Sequence, residues 1–109
     1  MQTLIQIQCK AKTPSLRSAI YNAPEELGSC CLKISEKRKG KNKWLSLSSS
    51  ISEIKGAIKI EWNANTNLLT ARIVNRSKVI PSDIIGHFTS FMLWQYGNSI
   101  ISINIVTQK

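Results

Sequence analysis

Apolar and polar residues alternate cleanly over 3–10, where Ile5, Ile7 and Cys9 share one face and Gln6 and Gln8 the other. A period of two marks a strand with one buried face. Thr13-Pro14-Ser15 ends it, because proline brings no N–H to a ladder. Leu16, Ala19 and Ile20 then recur at helical spacing over 15–21. Pro24-Glu25-Glu26-Leu27-Gly28 has the order of a helical turn, with proline first, acids next and glycine last. Residues 15–27 are therefore expected to be helical.

Two hairpin-like units follow. Residues 30–36 set Cys30, Leu32 and Ile34 on one face, and residues 43–48 set Leu45 and Leu47 against Trp44 and Ser46. The connection Lys37-Arg38-Lys39-Gly40-Lys41-Asn42 contains the glycine that a tight turn favours. In the second unit, Ile58, Ile60 and Trp62 of 57–62 face inward, as do Leu69, Ala71 and Ile73 of 68–74. Asn63 to Asn67 joins them, rich in residues that tolerate a left-handed backbone.

The C-terminal third predicts a helix over 82–96. Pro81-Ser82-Asp83 reads as its start, with Ser82 as the cap and an acid in the first turn. Ile84, Ile85, Phe88, Phe91, Met92 and Tyr96 form one apolar face. Gly97-Asn98 reads as the stop. A last strand over 99–106 sets Ile101, Ile103 and Ile105 against Ser102 and Asn104. Ile100 and Val106 add apolar character to its second face, which predicts a central position in the sheet.

The elements compose a single α+β domain over 1–109. Its sheet is largely antiparallel, of about five to six strands, with the C-terminal amphipathic helix packed on one face before the final strand. A half-barrel from the same elements is the alternative, and the strand order stays open. There is no internal repeat and no linker-like segment. A chain of 109 residues holds one such domain.

Charge changes the picture. Fifteen Lys and Arg face six Asp and Glu, a formal net charge of +9. Such an excess attracts polyanions, with DNA, RNA or an anionic membrane surface as candidates. The bland alternative is a basic subunit beside an acidic neighbour. The densest cluster is Lys33, Lys37, Arg38, Lys39, Lys41 and Lys43, six cations against the one acid Glu36. On a hairpin tip these would release counterions on meeting a phosphate backbone, and Trp44 beside them would stack on a base. The competing reading is a solvated turn whose lysines discourage edge pairing. Lys59 and Arg72, on the outward face of the second hairpin, would extend the basic surface, with Arg76 and Lys78 following. Lys10, Lys12 and Arg17 read as ordinary surface charge.

Leu32-Lys33-Ile34-Ser35-Glu36 followed by Lys43-Trp44-Leu45-Ser46-Leu47-Ser48 resembles a hairpin of the PUR family of single-stranded nucleic-acid-binding domains, over under a fifth of the chain. In that family the helix follows the sheet sooner, whereas a second hairpin intervenes here. The resemblance implies a nucleic-acid ligand for this hairpin.

Leu93 and Trp94 lie off the main apolar face of the 82–96 helix. They mark an interface with a second copy or another protein, so a homo-oligomer or a partner protein is expected.

Catalytic chemistry finds no foothold. His87 has only Asp83 one helical turn away, and Glu25, Glu26, Glu53 and Glu61 form no defined pair. Gly28, Gly40, Gly56, Gly86 and Gly97 are isolated, so there is no phosphate-cradling loop. Cys9, Cys30 and Cys31 are odd in number and irregularly spaced, fitting neither a disulfide framework nor a metal set. Reduced thiols, an N-terminal stretch without signal-peptide character and the lack of a spanning apolar run together predict a cytoplasmic protein. No cofactor and no catalytic residue is expected. The ranked readings are a sequence-nonspecific nucleic-acid-binding domain working through the Lys/Arg-rich hairpin, then a non-catalytic interaction subunit using the C-terminal helix and a sheet edge. A phosphate-processing enzyme such as a nuclease comes last.

Overall fold

The computed structural model describes residues 2–37, 45–51, 56–74 and 81–108. The elements run β1 Gln2–Cys9, α1 Leu16–Tyr21, α2 Pro24–Ser29, β2 Leu32–Lys37, β3 Leu45–Ser49, β4 Ala57–Asn63, β5 Leu68–Val74, α3 Ser82–Tyr96 and β6 Ile100–Gln108. The six strands form one open antiparallel sheet in the order β2-β3-β4-β5-β1-β6. This is the α+β architecture that the alternation predicts, with the sheet open and not rolled.

Alternation decides which way each strand faces. Ile5, Ile7 and Cys9 of β1, Leu45 and Leu47 of β3, Ile58 and Ile60 of β4, and Leu69, Ala71 and Ile73 of β5 are all buried in one cluster. Leu16 and Ile20 of α1, Leu27 of α2, and Ile84, Phe88, Phe91 and Met92 of α3 complete it. The three helices therefore share one face of the sheet. Phe91 meets Tyr96 edge to face, ring centres 5.8 Å apart at 81°, the arrangement that the ring quadrupoles favour. The other face carries Gln6, Gln8, Lys59 and Thr70, half-buried, and Glu61, Arg72 and Asn104, exposed. An antiparallel sheet is stable with one face in water.

Local chemistry sets several boundaries. The expected helical stretch is two short helices. The Ser15 hydroxyl caps α1 by accepting the Ser18 N–H at 3.3 Å, and Pro24 opens α2, which runs on to Ser29. In the β4–β5 turn, Asn63 Oδ1 accepts the N–H of Asn65 at 3.0 Å and of Thr66 at 3.3 Å, and Asn67 takes φ 53°.

Three expectations give way, and one holds in a different geometry. Cys30 is not on a strand but caps the C-terminal end of α2, and Cys31 turns the chain into β2 with φ 62°. Alternation in so short a run does not distinguish a strand from a turn. Ser82 is the first helical residue rather than the cap; Pro81 holds that position, and its carbonyl accepts the Ile85 N–H at 3.1 Å. Gly97 caps α3 after Tyr96, as expected, but in a right-handed conformation, at φ −54° and ψ −34°, that leads into a 3-10 turn over Gly97–Ser99. Finally, β6 is an edge strand and not a central one. Its doubly apolar pattern reports apolar side chains, not neighbours on both sides: β4 and β1 flank β5, which leaves β6 only the far side of β1.

Candidate nucleic-acid interface

The uncovered sheet face is where register places the basic side chains. Antiparallel pairing sets Lys59 of β4 directly opposite Arg72 of β5, and Glu61 opposite Thr70. These four residues line a cleft of about 150 Å³. Glu61 is two residues from Lys59 on the same strand and diagonal to Arg72, so the cleft holds two cations and one acid. A second depression, about 350 Å³, shares Glu61 and Thr70 and adds Trp62, Asn63, Ala64 and Leu68. The two run together toward the β4–β5 turn. That turn is tied to β1, since Gln8 Nε2 donates to the Thr66 carbonyl at 2.7 Å.

The β2–β3 hairpin borders this face. Ile34 pairs with Leu47, and Lys37 with Leu45, the hairpin that the alternation predicts. A register shift falls between Ile34 and Glu36, and Ser35 Oγ donates to Ser46 Oγ at 3.1 Å. Lys33 is exposed and sits opposite Ser48, three residues further along β3 than Leu45, the partner of Lys37. Lys33 and Lys37 of the expected Lys33–Lys43 cluster thus pair with positions three residues apart on β3. Arg38, Lys39, Lys41, Lys43 and Trp44 lie outside the described residues, as do Arg76 and Lys78. Connectivity nevertheless fixes two points. Segment 38–44 joins the sheet at Lys37 and Leu45, level with Ile60 and next to Glu61 of the cleft. Segment 75–80 leaves β5 at Val74, level with Ala57 at the opposite end of the sheet. Of the expected basic residues, Lys59 and Arg72 are brought together.

The sequence pattern missed Glu61 and Trp62 as part of this surface. Trp62 packs partly against the core while also lining the second depression. Its period-two pattern signals only the inward component. Arg17 also departs from ordinary surface charge. It is half-buried on α1, with Nε and Nη2 sealed from water and without hydrogen-bond partners. It lines a pocket of about 190 Å³ with Ser18, Tyr21, Asn22 and Leu45 on the helix-covered side.

Leu93 and Trp94 of α3 are 55% and 60% exposed, on the side turned away from the core. His87 is half-buried, and its Nδ1 has no hydrogen-bond partner, so Asp83 does not hold the ring through that atom. The three cysteines are free. Burial pushes the Cys9 thiol above its usual pKa, and burial followed by the neighbouring Cys31 does the same to Cys30. Both are thereby held as protonated, poorly nucleophilic thiols. Among the described residues no three His, Cys, Asp or Glu side chains are grouped to hold a metal ion. No described helix is long and apolar enough to cross a membrane. No protein-family model matches this chain, and no curated protein shows significant similarity to it.

Proposed function

We propose that the protein binds nucleic acid, DNA or RNA, largely without sequence preference, across its uncovered sheet face and the adjoining Lys/Arg-rich segment. The observation that carries this reading is the direct opposition of Lys59 and Arg72 on neighbouring strands. A phosphate oxygen seated between two cations so placed accepts two charge-assisted contacts. Around the cleft, Gln6, Gln8, Ser48 and Thr70 supply neutral hydrogen-bonding groups, suited to sugar and phosphate more than to particular bases. Four further cations lie in the segment 38–44 that links Lys37 to Leu45, and a formal +9 supplies the long-range attraction. The free thiols favour a reducing compartment, and we place the protein in the cytoplasm.

The test is a titration of labelled single- and double-stranded oligonucleotides at two salt concentrations. Each lost phosphate contact lowers the salt slope by about 0.7 to 0.9. A K59T/R72T double variant is expected to lose about 1.5 from the slope, and a serine replacement of Arg38, Lys39, Lys41 and Lys43 about 3. Absence of binding at low salt overturns the reading. Binding that both variants leave unaltered overturns the assignment to this face.

A further inference from the structure

The two edges of the sheet are built differently. β2 is six residues long, carries Lys33, Glu36 and Lys37, and has a register shift within it. Short length, charge and irregularity are the devices by which proteins keep an edge from pairing. β6 has none of them over most of its length. It runs for nine residues, Ile100–Gln108, without one ionisable side chain. Its single register shift, at Gln8/Cys9, falls at its start, so Ser102 to Gln108 pair with β1 in unbroken register. Among the described residues β1 is its only sheet neighbour. In an antiparallel strand alternate residues aim both backbone groups at the same neighbour. About half of the β6 N–H and C=O groups therefore point outward. Ile101, Ile105 and Val106 are 64%, 49% and 43% exposed along it.

We infer that β6 pairs antiparallel with the β6 of a second copy, joining two sheets into one of twelve strands. Three observations choose the occupant. First, charge: two copies of a +9 chain repel each other on most approaches, and this edge is a strip without charge where they meet at the least electrostatic cost. Second, self-complementarity: a two-fold axis centred on Asn104 sets Ile103 opposite the partner's Ile105 and the reverse, apolar against apolar, with every side chain on its own face. Third, area: a nine-residue edge is about 30 Å long, and a sheet with one helix layer is about 20 Å deep. Such a contact covers about 600 Å² per copy, at the lower bound of specific interfaces.

The geometry has a consequence for the surface described above. A two-fold axis perpendicular to the sheet puts both helix layers on one side and both uncovered faces on the other. The paired Lys59 and Arg72 then recur about 24 Å apart across the strands, five strand spacings from β5 to the partner's β5. The inference itself does not rest on nucleic-acid binding.

Sedimentation of the full chain over a range of concentrations tests it, without nucleic acid present. A monomer–dimer equilibrium is expected, with β6 amides exchanging more slowly as concentration rises. Ile105→Lys is expected to raise the dimer Kd at least about a hundredfold, since it brings like charges into the contact. Mixing Ile105→Lys with Ile105→Glu is expected to restore pairing as a heterodimer. Circular dichroism establishes that each variant is folded. A wild-type chain that is monomeric throughout overturns the inference. So does a dimer that Ile105→Lys leaves intact while Trp94→Ala dissociates it, which assigns the contact to the α3 surface.

Discussion

Lys59 and Arg72 face each other across β4 and β5 in the central part of the sheet. Glu61, offset by one diagonal, lines the same cleft and brings an opposite charge to it. Replacing Arg72 with threonine, a good strand former on an exposed position, is expected to change stability by no more than about 0.5 kcal/mol while weakening oligonucleotide binding. Denaturant unfolding and a binding titration on the same variant separate the two effects. Affinity lost without loss of stability is the signature of a position retained for binding.

Phe88 is fully buried where α3 meets the sheet. Truncation to alanine is expected to cost about 3–5 kcal/mol, a large part of what a domain of this size possesses. Leu93, on the exposed side of the same helix, is expected to change stability by no more than about 0.5 kcal/mol when truncated. Urea midpoints for the two variants separate them.

Cys31 holds φ 62° between α2 and β2, and its carbonyl accepts the Ser50 N–H at 2.9 Å. A non-glycine residue in the left-handed region costs about 1–2 kcal/mol, while glycine adds about 0.5–1 kcal/mol of unfolded-state entropy. Cys31→Gly is expected to stabilise the protein by about 0.5 kcal/mol, read as a rise in thermal midpoint.

Arg17 has two sealed nitrogens without partners. A hydrogen-bonding group left unsatisfied costs about 1–3 kcal/mol. Methionine keeps the length of the side chain and removes that penalty. Arg17→Met is expected to stabilise the fold by about 1 kcal/mol, measured by denaturant unfolding.

Tyr96 is held above its ordinary pKa of 10.0, first by burial and then by the Glu26 carboxylate. Cys9 is held above its ordinary 9.0 by burial. Both groups deprotonate more readily in the unfolded chain. Their stabilising effect is therefore complete below about pH 9 and is lost as pH rises through the folded values. Unfolding free energies measured between about pH 8 and pH 11 are expected to fall with pH, and Tyr96→Phe to flatten the part above pH 10.

Much of this molecule was legible before any tertiary contact. Strand faces follow from the covalent geometry that points successive side chains to opposite sides, so Ile5, Ile7, Leu45, Leu47, Ile58 and Ile60 declared themselves as core, and the outward setting of Lys59 and Arg72 came with them. The 82–96 helix followed in the same way from its spacing of Phe88, Phe91 and Met92. The stop at Gly97 followed too, while boundary details failed at Ser82 and Cys30, where a single backbone angle decides between states that the residue types tolerate equally.

Other features depend on pairs of residues far apart in sequence, and no periodicity encodes those. The sequence by itself determined which residues prefer strand or helix, which side each turns inward, and that the whole carries a large positive charge. The tertiary structure alone decided that Lys59 stands opposite Arg72, that Trp62 borders an open depression, that two nitrogens of Arg17 are sealed from water, and that β6 is an edge. Each of these is set by register and strand order, which arise when separate segments compete to bury the same apolar surface.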